Sequence, residues 1–232
     1  MKTLKIAFFS LVVIHGAHGA VTVVSSASPT SQGWALSTTG NAGQFAAANP
    51  NANGGGGSSS IVAGNAWGLY ASGGGVGSLT YSTGDLTGAG GYAAYIQLGV
   101  DVGSISNGNF DAIQFFDGAT LAYEFKFYGG DSVWRYGDSA GFNQGTSVGF
   151  TGNGYVFKLE QTGLHTYNFK VNGSTVTSGT LAGGAGYVDS VRVLNSDAGG
   201  DLIFNTLVYQ VPEPSAALLG ALGLLAVLRR RR

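Results

Sequence analysis

The sequence predicts an all-β protein, a two-layer antiparallel β-sandwich over residues 34–210 with about twelve strands. Apolar and polar residues alternate with a period of two in several segments of this region, which is typical of strands with one buried face. Asn-Gly and Asp-Gly pairs, which favour tight turns, separate such segments. No segment of the region has the spacing of an amphipathic helix. Strands with one apolar face must bury it, which predicts two packed layers.

Three segments carry the clearest alternation: residues 120–130 (TLAYEFKFYGG), 154–161 (GYVFKLEQ) and 164–171 (LHTYNFKV). In the first of them, Tyr123 is followed by Glu124, and the same exchange of apolar and polar residues continues along the segment. Apolar side chains therefore point to one face and polar side chains to the other. The pattern predicts antiparallel strands whose aromatic residues face the core.

Turn residues divide these strands from one another. Three pairs accept the positive φ that tight hairpins need, and each lies between two strand-like runs: Asn107-Gly108, Asp117-Gly118 and Asn172-Gly173. Residues 41–60 (NAGQFAAANPNANGGGGSSS) are of low complexity. They predict a long surface loop or a weakly ordered bulge inside the domain.

Charge is distributed unevenly along the chain. Residues 21–211 contain five lysines and arginines and eleven acidic residues, a net charge of −6, while the remaining cations lie at the two ends. A surface with few charges and a slightly negative net charge provides no basic patch for nucleic acid, so no nucleic-acid partner is expected. The chain has no cysteine, which excludes disulfides and thiolate zinc sites.

Residues 1–20 (MKTLKIAFFSLVVIHGAHGA) have the layout of a secretory signal peptide. Two lysines precede an apolar run over residues 6–14, and small residues follow it. The sequence therefore predicts an N-terminal signal helix that is cleaved after Gly19 or Ala20. The alternative, a buried N-terminal helix, is disfavoured because residues 21–33 turn polar and Ser-rich. The ectodomain then extends over residues 21–210.

Residues 211–232 (VPEPSAALLGALGLLAVLRRRR) form a second targeting segment. Fourteen small or apolar residues, 215–228, would make a helix about 21 Å long, against a hydrocarbon core of about 30 Å. The prolines before it prevent the helix from extending backward. Four arginines hold the other end in the cytoplasm as stop-transfer residues: Arg229, Arg230, Arg231 and Arg232. The segment predicts a short transmembrane helix, a marginal anchor that suits a processing signal.

The triplet Pro212-Glu213-Pro214, the short apolar run and the arginine cluster together resemble the PEP-CTERM sorting signal of exported bacterial proteins. This resemblance implies an exosortase-type processing enzyme as partner and transient anchoring in the inner membrane through the C-terminal helix. It further implies a final location in the cell envelope, at the cell surface or in the extracellular matrix of a diderm bacterium. Exopolysaccharide is the second partner that it implies.

Two further stretches, residues 58–71 (SSSIVAGNAWGLYA) and 188–209 (VDSVRVLNSDAGGDLIFNTLVY), resemble a recurrent group of PEP-CTERM proteins. This resemblance implies that the ectodomain is a β-sandwich of the concanavalin A-like or laminin-G-like jelly-roll form.

The sequence lacks a recognisable catalytic motif. His165 is the single histidine after residue 20, and neither a Ser elbow nor an orienting acid accompanies it. Glycoside hydrolysis needs two carboxylates about 5–9.5 Å apart, yet Glu124 and Glu160 lie on different predicted strands. We therefore expect a non-catalytic structural or carbohydrate-binding sandwich and assign no catalytic residue. The alternative is a secreted polysaccharide-active enzyme, a glycoside hydrolase or lyase, on the same jelly-roll scaffold.

The segment 131–138 (DSVWRYGD) combines aromatic and charged residues and is the candidate carbohydrate-binding site, with Trp134, Arg135 and Tyr136. Trp134 and Tyr136 share one face of the predicted strand. They either stack on a sugar or fill the core, and packing is the commoner role of a strand tryptophan.

The segment 194–201 (LNSDAGGD) offers Asn195, Asp197 and Asp201, oxygen ligands of the kind that Ca²⁺ prefers. The spacing does not match an EF-hand. The alternative is that these side chains hydrogen-bond the turn itself. Calcium is the only cofactor that the sequence suggests.

Overall fold

The computed structural model describes residues 19–23, 27–47, 66–84, 95–151 and 154–211. Within these ranges the chain forms two short 3-10 helices, Pro29–Gln32 and Ala182–Gly184, and otherwise strands. The predicted all-β class is therefore confirmed. The strands are β1 (Gly19–Val23), β2 (Ala35–Ala47), β3 (Ala66–Ser82), β4 (Tyr95–Val102), β5 (Phe110–Asp117), β6 (Thr120–Tyr128), β7 (Val133–Asp138), β8 (Gly141–Gly149), β9 (Tyr155–Gly163), β10 (Thr166–Val171), β11 (Ser174–Thr180), β12 (Ser190–Ser196) and β13 (Leu202–Val211).

The strands pair in one continuous sheet of 13 strands, and the named pairs are all antiparallel. Its order is β11-β10-β9-β4-β13-β3-β12-β5-β6-β7-β8, with β1 added to β13 and β2 added to β3. The two ends of the sheet, β11 on one side and the β7–β8 hairpin on the other, approach each other. The Ser139 N–H, which follows β7, donates to the Thr180 carbonyl of β11 at 3.0 Å. The two predicted layers are thus halves of a single, nearly closed sheet.

Strand β3 joins the two halves. Its first part, Trp67–Leu69, pairs with β13, and its last part, Val76–Ser82, pairs with β12. Gly73 and Gly74, which lie between them, have φ values of 60° and 79°, a left-handed conformation that glycine adopts without strain. The strand therefore changes its partner across a glycine-rich bend.

Aromatic rings from the two halves form the core. Phe125 of β6 lies 5.2 Å from Phe157 of β9 and 4.7 Å from Phe169 of β10, between ring centroids. Tyr123 of β6 lies 4.8 Å from Tyr167 of β10. All five side chains are buried, so the three alternating segments place their apolar faces in the core as predicted. Each buried aromatic side chain contributes about 1.5–3 kcal/mol of transfer free energy.

The predicted turn pairs have different roles. Asp117-Gly118 closes the β5–β6 hairpin, and Asn172-Gly173 closes the β10–β11 hairpin with φ values of 50° and 83°. Asn107-Gly108 does not form a hairpin, because β4 and β5, which flank it, belong to opposite parts of the sheet. Asn107 instead bridges to Gly129 after β6.

The low-complexity segment differs in part from its prediction as a loop. Residues 41–47 complete β2 and pair with β3, from Asn41 opposite Ser72 to Ala47 opposite Ala66. Small side chains permit this pairing, since a Cβ on Gly43 would lie 2.9 Å from the ring of Tyr70. Residues 48–60 lie outside the described residues.

Most of the two predicted targeting segments also lies outside the described residues. This holds for the signal helix up to residue 18, for the triplet at 212–214, for the helix at 215–228 and for the arginine cluster. Strand β1 begins at Gly19, inside the predicted signal peptide, and pairs with the end of β13. Neither helix of the described part is long and apolar enough to cross a bilayer.

Candidate functional site

Two aromatic residues of the predicted sugar site lie on the inner face of β7. Trp134 is 1% exposed and stacks on Phe125 at 4.9 Å with an interplanar angle of 2°. A ring covered in this way is not available to a sugar, so the core-filling alternative applies to Trp134. Tyr136 packs against the core as well, and its hydroxyl donates to Gln144 Oε1 at 3.0 Å.

Arg135, between them, points to the outer face of β7. Its Nε and Nη2 donate to the two carboxylate oxygens of Asp131 at 2.5 and 3.1 Å, and Nη1 donates to the Asn143 carbonyl at 3.3 Å. The hydrogen bonds from Arg135 hold the pKa of Asp131 below its usual range. An ion pair as exposed as this one contributes little to stability. Arg135 is the charged member of the predicted trio and is partly exposed on the outer face.

A polar row crosses the outer face beside Arg135. Strand register aligns Arg192 of β12 with Gln114 of β5, and Gln114 with Glu124 of β6. Arg192 Nε donates to Gln114 Oε1 at 2.8 Å, and Gln114 Nε2 donates to Glu124 Oε2 at 2.6 Å. The second oxygen of Glu124 accepts from Lys126 Nζ at 2.6 Å. The four side chains form one continuous chain of polar contacts.

The row is nearly covered although it points away from the core. Gln114, Glu124 and Lys126 are 7%, 4% and 7% exposed. Burial opposes the charged form of Lys126, but the hydrogen bond and the charge of Glu124 outweigh it and raise the pKa of Lys126. Burial lowers the pKa of Arg192, and the charge of Glu124 opposes that shift.

Aromatic rings flank the row on both sides. The Arg192 guanidinium lies 4.3 Å from the ring centroid of Phe116, and Lys126 Nζ lies 5.6 and 5.1 Å from those of Phe110 and Tyr128. These distances are typical of cation–π contacts. Lys126 is also the cross-strand partner of Arg135, which places Arg135 on the same surface. We call this surface the polar face; it consists of Phe110, Gln114, Phe116, Glu124, Lys126, Tyr128, Arg135 and Arg192.

The chemistry of the polar face is that of binding groups. Amide, guanidinium and carboxylate groups exchange hydrogen bonds with hydroxyl groups, and rings pack against the C–H faces of sugars. Glu124 is the single carboxylate of the row, and Gln114 and Lys126 engage both of its oxygens. The paired carboxylates that glycoside hydrolysis requires are not part of the row.

The predicted calcium ligands include one residue whose polar atoms are all engaged within the fold. Asn195 uses its polar atoms within the fold: Nδ2 donates to the carbonyls of Leu69 and Gly200 at 3.0 and 2.8 Å, and Oδ1 accepts from the Ala198 N–H at 3.1 Å. The turn-holding alternative therefore applies to Asn195. Asp197 is half-buried and has a φ of 49°, which a turn aspartate tolerates. No cluster of three or more metal-binding side chains occurs in the described part of the chain.

Two buried aspartates are features that sequence reasoning missed. Asp101 of β4 and Asp111 of β5 are 1% and 0% exposed, and none of their carboxylate oxygens has a hydrogen-bond partner within the described structure. Burial raises the pKa of Asp101 to about 6. Burial, and then the nearby charge of Asp201, raise the pKa of Asp111 well above its usual range. The signal in the sequence was an aspartate inside an apolar strand, as in LGVDVG and NFDAIQFF.

His165 lies in the turn between β9 and β10. It has a φ of 64°, and its Nδ1 lies 2.7 Å from the Ala185 carbonyl. The backbone groups of His165 hydrogen-bond Gly186 and Leu181. These contacts fit a residue that fixes the turn.

Residues 210–232 match the PEP-CTERM protein-sorting motif, which confirms the resemblance of the C-terminal segment and implies an exported protein. The motif begins within the last two residues of β13. Exosortase processing is the maturation that it implies. No curated protein matches this sequence.

Several solved structures are similar in fold. A carbohydrate esterase from Shiga toxin-encoding bacteriophage phi24B has a TM-score of 0.60 and 16% identity, over 85% of this chain and 100% of its own. The Crh5 transglycosylase has a TM-score of 0.55 and 10% identity, over 84% of this chain and 85% of its own. A sialidase matches with a TM-score of 0.49 and 9% identity, and this chain spans 15% of its length. At these identities the likeness establishes the β-sandwich fold.

Proposed function

We propose that this protein is a non-catalytic component of the cell envelope or extracellular matrix that binds polysaccharide through its polar face. The observation that carries the proposal is the row Arg192–Gln114–Glu124–Lys126, joined by contacts of 2.6–2.8 Å. An isolated buried charge on a sheet would be costly, whereas a connected row presents its groups in fixed positions. The sorting motif supports the location, since it implies an exported protein.

The accessible parts of the polar face suit a sugar chain. Phe110, Phe116, Tyr128, Arg135 and Arg192 are each partly exposed around the covered row. Aromatic rings supply apolar contact to pyranose faces, and the guanidinium groups donate to hydroxyl or carboxylate oxygens. Carbohydrate-active proteins among the structural neighbours are consistent with this use of the fold.

Maturation is the second part of the proposal. We expect an exosortase to cleave near Pro212-Glu213-Pro214 after the C-terminal helix has held the chain transiently in the inner membrane. The exposed sandwich then associates with the envelope or with exopolysaccharide.

A secreted polysaccharide-active enzyme on the same scaffold is the second candidate. It is favoured by the full coverage of the phage carbohydrate esterase and by the coverage of the Crh5 transglycosylase. Such an enzyme would use Glu124 as its acidic group. Against it, Glu124 is 4% exposed and both of its oxygens are engaged.

Binding of the exported protein to immobilised neutral and uronate-rich polysaccharides tests the first candidate. Arg192→Gln should weaken binding about tenfold or more, because a hydrogen bond to a charged group contributes about 1.5–3 kcal/mol. Lys158→Gln is the matched control, since Lys158 pairs with Glu160 at 2.7 Å on the outer face of β9. Equal loss in both variants, or binding to none of the polysaccharides, would contradict the proposal.

The same samples separate the two candidates. Release of reducing ends, unsaturated products or acetate, abolished by Glu124→Gln, would favour the enzyme. Retention of intact polysaccharide by the wild type, without release of any of these products, would favour binding without turnover.

A further inference from the structure

The fully buried Asp111 lies at the end of the core. It shares the inward face of β5 with Ile113 and Phe115, and its cross-strand partners are Asn195 and Phe127. Neither carboxylate oxygen accepts a hydrogen bond, and no ion pair among the described residues includes Asp111. An ionised carboxylate buried without a partner costs several kcal/mol, which calls for a compensating group.

Two loops bring a second carboxylate and backbone oxygens to this end of the core. Asn195, beside Asp111, donates to the Gly200 carbonyl at 2.8 Å and thereby folds residues 197–201 against β12. The Gly103 N–H donates to the Asp201 carbonyl at 3.1 Å, which fixes the loop before β5 to the loop before β13. These contacts bring Asp201 to the same end of the core as Asp111, and its negative charge acts on the Asp111 carboxyl.

The contact between the loops is rich in backbone oxygens. A Cβ on Gly200 would lie 2.3 Å from the Ser104 carbonyl oxygen, and one on Gly199 would lie 2.2 Å from Ser106 Oγ. These glycines allow the oxygen atoms of residues 104–106 to approach the backbone of the second loop closely. Carboxylate, carbonyl and hydroxyl oxygens are the donors that a hard divalent cation prefers, and the two loops and β5 supply all three kinds at this end of the core.

We propose that Asp111 and Asp201 bind a divalent cation, with Ca²⁺ preferred, where the loop at 103–109 meets the loop at 197–201. The site replaces Asn195 and Asp197 of the sequence prediction with Asp111 and keeps Asp201. Irregular loops that supply backbone oxygens suit the variable coordination of Ca²⁺ better than the strict octahedron of Mg²⁺. A cation here would join β5, β13 and both loops, and its role would be structural.

The test uses the exported protein after treatment with EDTA. Thermal unfolding at pH 7 should shift upward by about 5 °C or more when CaCl₂ is added to 100-fold above its Kd, and less with MgCl₂. Titration calorimetry should give one site per chain. Asp111→Asn and Asp201→Asn should each abolish the calcium-dependent shift.

Asp101→Asn is the matched control, since it removes another buried carboxylate without hydrogen-bond partners and should keep the full calcium response. Asp111→Asn replaces the buried carboxyl by an uncharged amide of nearly the same shape and should fold, so the loss of its response is interpretable. The absence of any calcium effect on the wild type would overturn the proposal. The same conclusion would follow if Asp111→Asn responded to calcium like the wild type, or if Asp101→Asn lost the response as well.

Discussion

At the scale of single residues, the partner of each buried charge decides its effect on stability. Glu124 and Lys126 are both nearly covered, and they neutralise each other at 2.6 Å. Asp101 is covered to the same degree but has no hydrogen-bond partner for either oxygen within the described residues. Similar burial therefore leaves a paired charge in one place and an unpaired, destabilising charge in the other.

Asp101 predicts a dependence of stability on pH. Its pKa is about 6 in the folded protein, against 3.8 for the ordinary group, so the folded state binds the proton more tightly. Stability from this group is present at low pH and is lost as pH rises from 3.8 to about 6, by roughly 3 kcal/mol. Asp101→Asn should therefore be more stable than the wild type at pH 7 and gain little at pH 4.

Urea unfolding of both proteins in EDTA at the two pH values measures this difference. EDTA removes any contribution of a bound cation, and Asp111 contributes equally to the two proteins. A variant that is less stable than the wild type at pH 7 would contradict the assignment of the pKa to burial.

At the scale of elements, β3 is the strand with the strictest backbone requirements, because it pairs with both halves of the sheet across a bend. The backbone of β2 follows it closely at the bend, where a Cβ on Gly75 would lie 2.8 Å from the Asn41 carbonyl oxygen. Backbone atoms cannot move aside as a side chain can. The bend therefore depends on glycine at position 75 for space and on Gly73 and Gly74 for conformation.

Because one glycine is needed for its conformation and another for space, alanine should reduce the stability of the fold by different amounts at the two positions. Gly73→Ala meets open space but a φ of 60°, so it should destabilise the fold by about 1–2 kcal/mol. Gly75→Ala must displace the backbone of β2 and should cost about 2–4 kcal/mol. The midpoints of urea-induced unfolding show which of the two variants is less stable. Equal stabilities would show that β2 is not held against β3 at the bend.

The elements also show what a sequence can predict. Local alternation was enough to assign β6, β9 and β10 and the inward direction of their rings, because side-chain direction in a strand has a period of two. The polar row was not predictable, since Arg192 meets Gln114 only through the register of β12 on β5, between strands remote in sequence. Residues 41–47 were also misassigned, because their small side chains suggest a loop while β3 supplies the pairing.

At the scale of the whole molecule, the sorting motif and the sandwich are directly connected. The motif starts at residue 210, and β13 ends at Val211. Pairing with β1 reaches that residue, since Val211 lies opposite Gly19. The proline triplet thus follows a paired strand without an intervening linker.

This connection sharpens the prediction for processing. As a helix, the apolar run at 215–228 would span about 21 Å, too short for a permanent anchor, and we expect the four arginines to oppose its passage through the membrane. Export should therefore stall with Pro212-Glu213-Pro214 at the outer surface of the inner membrane.

Expression with and without an exosortase, followed by mass spectrometry of the mature C-terminus, measures the outcome. We expect cleavage near the triplet only when the enzyme is present, with the sandwich intact because its last paired residue precedes the triplet. Replacement of the four arginines by Ser should let the chain pass the membrane unprocessed, since nothing then holds its end in the cytoplasm. Arginines still attached to the exported protein in the exosortase-positive host would defeat the sorting proposal. Unchanged processing after the replacement would defeat the stop-transfer role alone.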